Sequence, residues 1–125
     1  MLSRQHHIAI ISADWDRARE FYIEKLGFSL VREVWRPAQQ DYLRMLQLGE
    51  TVLEIFIKPD APQRVTNPEA MGLRHLAFHV EDVEAAAAWL RDKGIETEPI
   101  REDMVNGGRF TFFKDPDGLP LELHE

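Results

Sequence analysis

From His75 to Val80 large apolar residues alternate with histidine or alanine. Leu76, Phe78 and Val80 fall on one side of a predicted strand, and His75, Ala77 and His79 on the other. The apolar side asks for a core. The other side carries two imidazoles with a small residue between them. A like stretch opens the chain, where Ile8 and Ile10 face one way and His7, Ala9 and Ile11 the other.

The same patterning predicts the remaining elements. Residues 5–11 read as a strand. Ser12-Ala13-Asp14 offers capping side chains, and Ala18, Phe21, Tyr22 and Leu26 recur at helical spacing up to Gly27. Strands follow at 28–34, 41–48 and 51–57, with Pro37 and Gly49-Glu50 in the turns. Residues 59–72 hold Pro59, Pro62 and Pro68 and read as a linker. Then the order recurs. A strand over 73–80 precedes a helix from Val83 to Lys93, capped by Asp82 and ended by Gly94. Strands follow at 95–100, 109–114 and 119–124, the last two joined by Asp115-Pro116-Asp117-Gly118.

The two halves thus share one order, strand–helix–strand–strand–strand, at an offset of 68. Ala9 meets Ala77, Asp14 meets Asp82, Tyr42 meets Phe110, and Leu53-Glu54-Ile55 meets Leu121-Glu122-Leu123. Such self-similarity marks repeated units that cover each other's apolar faces. The expected fold class is α+β, a single domain over 1–125 with modules at about 5–58 and 73–125.

The repeat superposes His7 on His75 and Glu54 on Glu122, with histidine and glutamate 47 positions apart in each half. Leu53, Ile55, Leu121 and Leu123 take the opposite parity, so all four polar side chains project from the face away from the helices. Carboxylates there are costly unless paired or bound to a cation. A divalent ion with two imidazoles offsets that cost. Two nitrogens and two carboxylate oxygens suit Zn, Ni, Co, Mn or Fe(II) better than Ca or Mg. Taken singly, a strand histidine is more often a hydrogen-bonded structural residue, and a strand glutamate more often a surface ion-pair partner. Type, spacing and face recur together here, which favours ligands. His6 lies one residue off His7 and is expected on the opposite face. His79 and His124 share the parity of His75 and Glu122.

Composition narrows the classes. The chain has 125 residues, 44% hydrophobic and 30% charged, enough for one ordinary core and a soluble surface. A net charge of −7 is unlike a nucleic-acid footprint. The absence of cysteine removes disulfides, thiolate metal sites and a cysteine nucleophile. No stretch approaches a membrane span or signal peptide, so a cytoplasmic protein without membrane contact is expected.

At these residues the sequence resembles the vicinal oxygen chelate (VOC) superfamily, the glyoxalase I / bleomycin resistance / dioxygenase group. It is most similar to small bacterial glyoxalase-I-like proteins. His7-Ile8-Ala9-Ile10, Phe21-Tyr22 and Leu26-Gly27-Phe28 carry the first module, and Leu53-Glu54-Ile55-Phe56 its carboxylate strand. Gly72 to Phe78 opens the second, and Phe112 to Leu123, with its Asp-Pro-Asp-Gly turn, is the most specific signature.

The resemblance implies two tandem βαβββ modules whose mixed sheets curl into a cleft around one divalent metal ion. The implied ligands are His7, Glu54, His75 and Glu122, often in a homodimer whose subunits share the site. It implies a glyoxalase-I-like lyase or isomerase working through an enediolate on a small oxygen-chelating substrate. Glu122 and Glu54 would then serve as catalytic bases. Bacterial glyoxalase I has an arginine where Ile11 stands and an asparagine where Lys58 stands. These departures weigh against glutathione use.

Candidate substrate contacts are Tyr42, Arg44, Lys58, Arg109, Phe110 and Phe112; surface charge and core packing are the plainer readings of each. An Fe(II)- or Mn-dependent dioxygenase, a resistance-type transferase and a non-enzymatic binding protein are the alternative functions. Asn106-Gly107-Gly108 reads as a mobile loop.

Overall fold

A computed structural model describes all 125 residues, which fall into two compact units, Met1–Pro62 and Gln63–Glu125. In the first, β1 (Ile8–Ser12) leads into α1 (Trp15–Arg19), whose last turn widens into a π-helical segment, Glu20–Lys25. Asp14 caps α1 by accepting from the Arg17 N–H at 2.8 Å. Strands β2 (Ser29–Arg36), β3 (Asp41–Leu48) and β4 (Thr51–Ile57) complete a mixed sheet of order β1-β4-β3-β2. Only β1 and β4 are parallel.

The second unit repeats this plan with β5 (Leu76–His79), α2 (Val83–Asp92), β6 (Arg101–Glu102), β7 (Arg109–Lys114) and β8 (Pro120–His124), in the order β5-β8-β7-β6. Asp82 caps α2 through the Glu84 and Ala85 N–H groups, 68 residues on from Asp14. The α+β class and the doubled strand–helix–strand–strand–strand order are as expected.

Buried apolar residues sit where the alternation puts them. Ile10, Leu46, Leu53 and Ile55 are buried with Ala18, Phe21 and Tyr22 in the first unit. Leu76, Phe113, Leu121 and Leu123 are buried with Val83, Ala87 and Leu90 in the second. Burying one such side chain stabilises by about 1.5–3 kcal/mol.

Three boundaries differ from expectation. β1 and β5 begin at Ile8 and Leu76, so His6, His7 and His75 stand just before their strands. Residues 95–100 form no strand, although the Glu98 N–H donates to the Phe112 carbonyl at 2.8 Å; the regular ladder begins at Arg101, opposite Phe110. The repeat also slips by one residue. Met45 lies opposite Glu54, but Phe112 lies opposite Glu122, a separation of 67 (112 minus 45) where the flanking strands keep 68. The cause is turn length. Leu48 pairs directly with Thr51 across Gly49-Glu50, a two-residue loop. Asp115 instead bonds Leu119 across three residues, with its carboxylate accepting from Asp117 and Leu119 and Gly118 at φ 88°.

Candidate metal centre

Register decides what surrounds each glutamate. Glu54 lies between Ala9 on β1 and Met45 on β3, and Glu122 between Ala77 on β5 and Phe112 on β7. Directly paired residues share a face. On one side of each glutamate, therefore, the neighbour is only a methyl group. That leaves room for the imidazole arriving two residues before the alanine.

His7 Nε2 lies 3.2 Å from Glu54 Oε2, and His75 Nε2 lies 2.8 Å from Glu122 Oε2. The glutamate side chains are 12% and 10% exposed, so each carboxylate meets one imidazole and little water. These pairs suit a metal. Ligands at adjacent vertices of a first-row ion, each about 2.1 Å away, stand about 3 Å apart, the spacing both pairs hold. No group of three or more His, Cys, Asp or Glu side chains is gathered at one point.

Each imidazole is held differently. His6 Nδ1 lies 2.9 Å from His7 Nδ1, with the rings edge to face. That contact occupies Nδ1 of His7 and leaves Nε2 toward Glu54. Alternation had set His6 on the far face. Since neither histidine is in the strand, alternation does not govern them. His75 has no such neighbour; its ring meets Phe112 edge-on, with centroids 5.0 Å apart.

The other expected contacts divide. Phe110 and Phe112 share the face of Glu122, and Phe110 stacks on His124 at 5.9 Å. Lys58 follows β4 on the parity of Glu54, half exposed and 3.8 Å from Asp41. Tyr42 and Arg44 are turned away. Arg44 is paired with Ile55, one residue off Glu54; its guanidinium lies over Trp15 and Tyr42 and bonds Glu33 at 2.7 Å. The one-residue slip is why the equation of Tyr42 with Phe110 fails. Arg109 is likewise committed. It donates to both Glu125 oxygens and to Glu84, which pulls the Glu125 carboxyl down to about 2.

Sequence reasoning missed three residues beside these pairs. Arg36 makes a bidentate bond to Asp41, both at 2.7 Å, and lies 4.8 Å over Phe56, which shares the Glu54 face. Asp103 accepts from His124 Nε2 at 2.9 Å and from the Val105 and Asn106 N–H groups, which hold its carboxyl well below the usual range. Arg101 lies over Phe110 and Phe112. A basic residue just past the end of an expected strand, as Arg36 and Arg101 both are, gave no sequence signal.

The duplicated plan is that of a known family. The profile of the glyoxalase/bleomycin resistance protein/dioxygenase superfamily matches residues 4–123. The chain belongs to this superfamily. The uncharacterized protein YwkD of Bacillus subtilis is 52% identical, with 100% of this chain and 98% of that one covered. The crystal structure of a glyoxalase family protein from Enterococcus faecalis superposes with a TM-score of 0.92 at 52% identity, covering 98% and 97%. A 2-epi-5-epi-valiolone epimerase of Actinomyces is 34% identical over 94% of this chain and 76% of its own length. Methylmalonyl-CoA epimerases and lactoylglutathione lyases match at 25–28% identity. A mutant of FosX from Listeria monocytogenes, crystallised with Mn(II), shares the fold with a TM-score of 0.73 at 20% identity, covering 99% of this chain and 90% of that one. No helix of this chain is long and apolar enough to cross a membrane.

Proposed function

We propose that this chain is a metal-dependent VOC isomerase or lyase of the glyoxalase I type, moving a proton on the carbon beside a carbonyl of a small substrate. The observation that carries the reading is the recurrence of one His Nε2–Glu Oε2 pair, at 3.2 and 2.8 Å, in both units. In this reading His7, Glu54, His75 and Glu122 are the ligands of Ni, Zn, Co, Mn or Fe, within a homodimeric cytoplasmic protein. The metal, when bound, acts as a Lewis acid that stabilises negative charge on a substrate oxygen.

The chain's own residues do the rest. Glu122, more enclosed than any other carboxylate on its face, takes the proton from the substrate carbon. It returns it to the neighbouring carbon in an isomerisation; in an epimerisation Glu54, the second base of this reading, delivers a proton to the opposite face of the same carbon. Both outcomes share one abstraction step, which is why epimerases and lactoylglutathione lyases among the relatives support a single mechanism. Ala77 keeps the space beside Glu122 open, and Phe112 closes the other side to water.

The test begins with metal analysis of purified protein. Metal-loaded protein is then incubated in D2O with dihydroxyacetone and with the hemithioacetal of methylglyoxal and glutathione. Deuterium incorporation at the carbon next to the carbonyl is expected, and its loss in Glu122→Gln. Protein that takes up no divalent metal would sink the reading. So would Fe(II)-dependent oxygen consumption on a catechol without any exchange.

A further inference from the structure

We propose that Arg101 is an anion-recognition residue, and that the substrate carries a carboxylate or phosphoryl group a few bonds from the oxygens it presents for chelation. The placement of the reacting end rests on the function proposed above. The anion contact stands on Arg101 itself.

Register puts Arg101 on the working face. It pairs with Phe110, Phe110 with His124, and Phe112 with Glu122, so all five share one side of the sheet. Its guanidinium carbon lies 5.0 Å from the Phe110 ring centre and 5.6 Å from that of Phe112. Phe112 also meets the His75 ring, with centroids 5.0 Å apart. One ring thus touches both the guanidinium and the imidazole, which places them within about 11 Å of one another. An apolar strip runs between a cation and a His–Glu pair.

Two further observations make this arginine available. It carries five N–H donors in a fork suited to carboxylate or phosphate, yet its hydrogen bond goes to Glu98 alone, at 2.9 Å. Both of those side chains are 53% exposed, so that pair is weak and readily exchanged. The other arginines near these faces are spent: Arg36 on Asp41 bidentately, Arg44 on Glu33, Arg109 on Glu125 and Glu84. The chain as a whole carries −7, so an anionic substrate needs a local cation to land on. Contact with two rings set at 85° to one another holds the guanidinium in place beside them, with donors left over for an anion.

The span suits a short molecule. A chelating oxygen pair at the His75–Glu122 end and an anionic group three or four bonds away would reach both.

Two probes test this on the full-length protein. Succinate monohydroxamate and acetohydroxamate share one bidentate chelating head, and only the first has a carboxylate tail. On nickel-loaded native protein the tailed probe is expected to bind about tenfold more tightly, as a half-exposed charge-assisted contact allows. In Arg101→Gln the ratio falls to about one while acetohydroxamate binding is unchanged. Arg101→Lys restores part of it. A ratio that survives Arg101→Gln, or no preference in native protein, overturns the proposal.

The second readout needs no metal. Inorganic phosphate titrated into metal-free protein is expected to shift the Arg101 Nε–H NMR signal, and an unmoved signal counts against the assignment. If neither hydroxamate binds, the metal reading fails separately, and the phosphate titration still decides this one.

Discussion

Replacing His75 by alanine is the most informative single perturbation. In the native chain His75 Nε2 sits 2.8 Å from Glu122 Oε2. If that pair supplies two of four ligands, the size of the loss follows. Four-ligand zinc sites bind with about 10–16 kcal/mol, or about 2.5–4 kcal/mol per ligand when shared evenly. Loss of one ligand therefore weakens binding by about 10²–10³-fold.

Thermal melts read this out. Metal at about 100 times the native Kd stabilises by about 2.7 kcal/mol, a rise of about 10 °C for a chain of this length. At the same concentration the variant binds at about 0.1–1 times its weakened Kd. It gains under about 0.5 kcal/mol, or about 2 °C at most. The quantity compared is the shift with and without metal. The substitution also removes the edge contact with Phe112, worth about 0.5–1.5 kcal/mol, which lowers both melts together. His79→Ala, at the end of the strand that His75 precedes and in neither pair, is the control and keeps the full shift. A His75→Ala protein that gains as many degrees from nickel or zinc as the native chain refutes the assignment. His7→Ala is expected to behave like His75→Ala, because the two pairs repeat.

Other outcomes follow from single contacts. Ala77→Leu fills the space beside Glu122 on an exposed position, so metal binding or turnover falls while the metal-free melt stays within about 0.5 kcal/mol; an unaffected activity would show that this side is not the approach. Leu121→Ala empties a fully buried position and costs about 2–5 kcal/mol by urea unfolding. The Glu125 carboxyl, held at about 2 by Arg109 against an ordinary 4.5, contributes stability that is present above pH 4.5 and lost as pH falls toward 2. Arg109→Met should therefore flatten that acid limb in pH-dependent melts, and an unchanged limb would place the ion pair's effect elsewhere. Gly108→Ala meets the Glu125 carbonyl oxygen at 3.0 Å with φ at +81°, and loses about 1 kcal/mol or more.

Much of this protein is written in its periodicities. Period-two alternation gave β3, β4 and β7 with their bounds, because each strand buries one face against helices whose own spacing is legible. The offset of 68 gave the doubled plan and both N-caps. It also paired His7 with Glu54 and His75 with Glu122, since β1–β4 and β5–β8 keep one register in both halves.

Tertiary structure decided what alternation cannot carry across a turn. A side chain changes face with every residue, so the one extra residue in the loop after Asp115 reverses which positions of β7 and β3 correspond. That puts Phe112 beside Glu122 and sends Tyr42 and Arg44 to the far side. His6 meets His7 because strand geometry starts only at Ile8, beyond the reach of any parity rule. Arg101 and Asp103 joined Phe110 and His124 through a two-residue strand too short to leave a period in the sequence, and their partners lie far along the chain.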